Sequence, residues 1–150
     1  MPFVAGVLEF VLCAMMFLMA AFALTGYLVV SYNRMGDVAT TIESYIGFVA
    51  VVAFVFGLAG SISAMQRWSL SLSVFGASWI AFWGLLQIWY SLTWIAVPSS
   101  SGRITLSQFS DVQIGVTLGT FALFLSMLVI MVVVASKEYF KPHALTSTVH

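Results

Sequence analysis

Four stretches of this chain, residues 10–30, 45–65, 68–97 and 112–135, contain no charged side chain and run for 21, 21, 30 and 24 residues. A bilayer's hydrocarbon core, about 30 Å thick, is crossed by about 20 helical residues, so each stretch is long enough to span. A buried helix of a soluble protein is sometimes as apolar, but four of them in one short chain leave no polar face for water. Of the 150 residues 62% are hydrophobic and 7% charged, where a soluble domain carries about 25% charged residues. Barrel strands would need segments of about ten residues with alternating polarity, and these stretches do not alternate. The backbone must then be satisfied within helices. The expected fold is an all-α membrane protein, a single domain over residues 1–150 whose four transmembrane helices form two hairpins.

Bulk charge excludes some function classes. Five basic and five acidic residues balance, so no nucleic acid or strongly charged partner is indicated. No cleaved leader is expected, because residues 1–10 contain Glu9 and no Lys or Arg. The single cysteine, Cys13, lies in the first apolar stretch without a disulfide or metal-pair partner in the sequence.

Polar segments mark the ends of the spans. Thr40-Thr41-Ile42-Glu43 and Ser110-Asp111-Val112-Gln113 have the form of capping boxes before the second and fourth spans. Lys137 stands where the negative end of the last helix dipole favours a cation. Ile46-Gly47 and Ile114-Gly115 are the one echo between the two hairpins, too little to establish an internal repeat. Four spans place both termini on one side, with Arg67, Lys137 and Lys141. The other side carries Arg34 and Arg103 with Asp37, Glu43 and Asp111. The excess of basic residues favours cytoplasmic termini in a cell membrane.

Three constellations are candidates for function. Small residues recur three or four apart at Ala53, Gly57, Ser61 and Ala64, and again at Gly115, Gly119, Ala122 and Ser126, the latter including a GxxxG. Such stripes let helix backbones approach closely in lipid, so Gly57, Ser61, Gly115, Gly119, Ala122 and Ser126 form a candidate packing interface, within the bundle or with another subunit. In the third span Trp79, Trp83, Gln87, Tyr90 and Trp94 fall on one arc of about 80° at helical periodicity. This aromatic wall with one amide is a candidate face for a hydrophobic ligand or lipid; the bland alternative is an interfacial aromatic belt with ordinary packing. Glu9 shares a helical face with Cys13 and Met16, with Met15 and Met19 nearby. An acid at membrane depth marks proton or ion chemistry and thiolate with thioether suits a soft metal, but closeness to the chain start places Glu9 at headgroup depth and makes it dispensable. His143 and His150 lack a zinc spacing and are expected to be solvated. No phosphate-binding loop, dinucleotide fingerprint or nucleophile motif is present, so neither an enzyme nor a cofactor is expected.

The run from Phe56 to Trp68, FGLAGSISAMQRW, followed by a second helix rich in small residues, resembles the central hairpin of small four-helix integral membrane proteins common in archaea and bacteria. The resemblance covers about a third of the chain by residue count. It departs from the pattern in having one basic residue, Arg67, at the turn. It implies a four-helix fold and no particular chemistry.

Together these features point to a non-catalytic structural or accessory subunit of a larger membrane complex, such as a respiratory or other oxidoreductase complex. Its partners would be the bilayer and other membrane subunits. A hydrophobic-ligand or lipid-binding module is the alternative, and a small transporter using Glu9 comes third. The topology is testable by labelling with an impermeant thiol reagent after Cys13→Ala. Ser100→Cys should react from outside sealed cells and Ser147→Cys only after the membrane is opened; the reverse pattern would invert the assignment.

Overall fold

A computed structural model describes residues 1–31, 38–95 and 106–140, with only the backbone of residues 22–31, 38–41, 43, 94–95 and 106–109. Its elements are α1 (Pro2–Ser31), α2 (Val38–Gln66), α3 (Leu70–Tyr90), which continues as a π turn (Ser91–Ile95), and α4 (Leu106–Ala135), followed by a 3-10 turn (Lys137–Tyr139). There is no strand among the described residues. Each of the four helices contains a segment long and apolar enough to cross a membrane: Pro2–Ala21, Ser44–Gln66, Leu70–Thr93 and Ser110–Ala135. The protein is an all-α, multi-pass integral membrane protein.

Three of the helices, α1, α2 and α4, begin before their apolar stretches, whereas α3 begins two residues inside its own. Pro2 opens α1, a position where its missing N–H costs no intrahelical bond. α2 is already helical at Val38 and α4 at Leu106, so Thr40 and Ser110 lie inside helices and the two expected capping boxes do not start them. Once an apolar segment has nucleated a helix, each further residue adds a hydrogen bond for one more pair of fixed dihedrals. Polar residues therefore extend it past the lipid. The N-cap that does form is Ser69, with extended backbone and a side chain that accepts from the amide of Leu72 at 3.3 Å. Trp68 stands outside α3 and is exposed. Arg34, Asp37, Arg103, Lys141, His143 and His150 lie outside the described residues.

The turn between α2 and α3 closes α2 with a Schellman arrangement. The amide of Trp68 donates to the carbonyl of Ser63 at 3.0 Å and that of Arg67 to Ala64 at 3.3 Å, which satisfies two carbonyls at the helix end. The geometry requires a left-handed residue, and Arg67 supplies it at φ 59°. An L side chain there costs about 1–2 kcal/mol.

Consecutive helices pack antiparallel, α1 on α2, α2 on α3 and α3 on α4, with sparser contact between α4 and α1. A Cβ on Gly6 would lie 2.6 Å from Met65 Cγ and 2.8 Å from the Ser61 carbonyl, so the start of α1 sits beside the end of α2. Leu12, Met16, Ile80, Trp83, Val129 and Val133 fill the interior, while Phe3, Phe10, Phe48, Phe121, Phe124 and Met131 are exposed at the periphery. Large apolar side chains also facing outward, with glycines at the closest helix contacts, are what lipid as a solvent permits. Arg67→Gly should remove the left-handed penalty and stabilise the hairpin by about 1 kcal/mol, measured as a higher unfolding midpoint in detergent. A lower midpoint would mean that the guanidinium makes a contact worth more than the strain.

Candidate functional site

The inward face of α1 carries Ala5, Glu9, Leu12, Cys13, Met16 and Ala20, all buried, at the three- and four-residue spacing of one helical stripe. Glu9 is 0% exposed, and neither of its carboxyl oxygens has a hydrogen-bond partner among the described residues. It therefore faces the interior of the bundle rather than its surface. Pro2 and Glu9 are separated by about 10 Å of helical rise, and the carboxyl lies level with Gly60 of α2 and Gly76 of α3.

Those two glycines make the space that the carboxyl occupies. A Cβ on Gly76 would stand 2.6 Å from Glu9 Oε1 and 2.5 Å from the Phe56 carbonyl, and a Cβ on Gly60 would collide with the same Oε1. One turn further in, a Cβ on Gly57 would lie 2.7 Å from Cys13 Sγ and 2.9 Å from Ile80 Cδ1. The three glycines thus bring α1, α2 and α3 close together around one polar group.

A line of hydroxyls connects this niche with the α2–α3 turn. Ser63 Oγ donates to the Ser69 carbonyl and accepts from the Ser69 amide, both at 2.9 Å. Ser73 Oγ is within 3.1 Å of the carbonyls of Ser69 and Gly60 and can donate to either. Ser61 Oγ donates to the Leu58 carbonyl at 2.9 Å. Ser61, Ser63 and Ser73 are all buried. Below Cys13 the interior turns apolar through Met16, Ile80 and Trp83; the indole Nε1 of Trp83 is also without a partner among the described residues.

The residues singled out in the sequence are distributed differently. Gly57, Ser61, Gly115, Gly119, Ala122 and Ser126 are buried within the chain's own bundle. Gly84 and Gly119 meet reciprocally, a Cβ on either lying 2.7 Å from the other's carbonyl oxygen, and a Cβ on Gly115 would collide with Ser91 Oγ in the π turn. Gly115, Gly119 and Ala122 of the fourth-helix stripe therefore pack against α3. The aromatic arc is not one open wall either. Trp83 and Tyr90 are buried, Gln87 is half-buried with its amide nitrogen beside Gly115, and the side chain of Trp94 lies outside the described residues. Trp79 stacks on Phe56 with ring centroids 6.0 Å apart and meets Phe75 and Phe82 edge-on. A lateral groove lies elsewhere, between α1 and α2, where Phe10, Phe17, Phe54 and Leu58 border about 530 Å³ of apolar space.

Gly60, Gly76 and Ser73 carry the niche and escaped the sequence reading. The signal that reveals them is the hairpin register: folding the chain back at Arg67 sets Gly60 opposite residues near Gly76, at the depth of Glu9. No three His, Cys, Asp or Glu side chains converge on a point among the described residues. No family model, curated protein or solved structure matches the chain, so the niche has to be interpreted from its own chemistry. Gly119→Val should force the α3 and α4 backbones apart and cost about 1–3 kcal/mol, seen as a lower unfolding midpoint of the isolated protein. An unchanged midpoint with weakened association to another protein would return Gly119 to a subunit interface.

Proposed function

We propose that the protein is a non-catalytic accessory subunit that acts by lateral contact with other membrane proteins. The observation that supports this most directly is the outer face of α4. Phe121, Phe124, Met127 and Met131 are exposed there, and the fourth span is the least buried of the four, at 28% against 39% for each of the others. Among the described residues no folded segment stands apart from the four helices and their short turns, so contact through the lateral surface is the route by which such a chain reaches a partner. Large apolar side chains pack between helices by van der Waals contact, and Met adapts to irregular surfaces. The assignment to the cell membrane with both termini in the cytoplasm belongs to this proposal, and so does a respiratory or other oxidoreductase complex as the first partner class to test.

A second reading, a hydrophobic-ligand or lipid-binding module, is favoured at the α1–α2 groove rather than on the α3 arc. The volume and wholly apolar border of that groove suit an acyl chain.

A photoreactive side chain placed at Phe124 in native membranes should crosslink to a second membrane protein, and mild-detergent extraction should recover the same protein with the chain. Crosslinks to lipid alone, together with a lone monomer in several mild detergents, would overturn the subunit proposal.

A further inference from the structure

We propose that the glycine niche around Glu9 is a proton-binding site, loaded and unloaded from the side of the membrane that bears the Arg67 turn and sealed from the other side. This goes beyond the accessory-subunit proposal and does not depend on it, because the niche lies wholly within one chain.

The argument starts from solvation. Glu9 is fully buried and its two oxygens meet no donor, and a bare carboxylate in such surroundings is costly unless it is paired. No cation among the described residues is placed to pair it. α2 and α3 bring Gly57, Gly60 and Gly76 to its surroundings, with Ser61, Ser63, Ser69 and Ser73 nearby. From its own helix Cys13 follows one turn deeper. Arg67, Lys137 and Glu138 are exposed. The partner that fits is a proton on the carboxyl itself. The space bounded by glycine Cα atoms holds a planar acid group without an inserted ion, and the surrounding carbonyls of Phe56, Gly60 and Leu72 belong to helix backbones whose hydrogen bonds already engage them.

Access is one-sided. Ser69 caps α3 at the turn, Ser63 is bonded to it in both directions, and Ser73 spans from Ser69 to the carbonyl of Gly60, the residue whose Cα the Glu9 carboxyl packs against. Toward the opposite face Leu12, Met16, Ile80 and Trp83 are all at most 2% exposed, with no comparable row of hydroxyls beside them among the described residues. The reaction is a simple exchange: a water entering along the serine row accepts the carboxyl proton as hydronium and leaves the carboxylate, and the reverse step restores the acid. No carbon bond changes and no redox partner is involved. The apolar seal makes this a site that binds a proton without conducting it across the membrane.

The full-length protein in sealed vesicles, treated with dicyclohexylcarbodiimide and analysed by mass spectrometry of its peptides, tests this. The reagent is apolar and adds to a protonated carboxyl in an apolar setting. The expected result is an adduct at Glu9, lost in Glu9→Gln, whose yield falls as the pH on the Arg67 side is raised and does not respond to the pH on the other side. Sodium or potassium chloride at fixed pH should not protect. Absence of the adduct in the wild-type protein overturns the proposal, and this readout requires no variant to fold. Protection by sodium would make the niche a cation site and overturn the proton assignment. A response to pH on the opposite side, or a proton leak across vesicles that Glu9→Gln abolishes, would overturn the one-sided seal. Ser73→Ala keeps the carboxyl and the glycines while removing a link in the serine row. It should slow the response of labelling to a pH jump several-fold without changing the final yield, and an unchanged rate would remove the serine row as the path.

Discussion

Close approach of helix backbones at glycine is the contact on which the rest of this structure depends. In lipid there is no hydrophobic drive to press one apolar helix onto another, so association rests on van der Waals fit and on whatever polar groups the helices share. Gly84 and Gly119 join α3 to α4 backbone against backbone, while Gly6, Gly57, Gly60 and Gly76 draw α1, α2 and α3 together. At such distances weak Cα–H···O contacts become available, worth about 0.5–1 kcal/mol each. The same closeness that holds the bundle also encloses a buried acid, because Gly60 and Gly76 on two helices leave room for a carboxyl from a third.

The span count is legible in the sequence because uncharged length alone decides it. The ends of the helices are not, since a span-finding argument stops at the first polar residue whereas a helix continues until its backbone bonds are capped. Thr40 and Ser110 illustrate this: both have cap chemistry, yet each lies inside a helix that began earlier. At Ser69 the same residue type does cap, because the preceding left-handed Arg67 has already broken the helix. Local sequence specifies who can cap; the tertiary turn specifies who does.

The depth of Glu9 is hidden for a related reason. Distance from the chain start is not distance from the membrane surface when the helix opens at Pro2, and burial depends on a hairpin register that is set far away at Arg67. The small-residue stripes are legible as packing faces, but their partners are not: glycines at the spacing of Gly115 and Gly119 serve an internal helix as well as a foreign one. The aromatic arc shows the limit of angular arithmetic. Its members share a side of α3, yet α2 and α4 both pack along that helix, so Trp83 is enclosed and Trp79 meets the rings of Phe56, Phe75 and Phe82 instead.

A buried carboxyl that meets no partner among the described residues costs more than one small packing contact supplies. Packing alone therefore gives no reason for a carboxyl at the Glu9 position, where a side chain without charge would fill the same space at lower cost. The hydroxyls point the same way. Ser63, Ser69 and Ser73 line the approach from the turn, and the interior beyond Cys13 is filled by Met16, Ile80 and Trp83, so polarity falls inward from the turn among the described residues. α3 is the element common to both halves of the molecule, closing the niche with Gly76 and holding α4 through Gly84. Close-packed helices transmit small displacements rather than absorbing them, so the wall of the niche and the helix that faces the surrounding membrane are mechanically one unit.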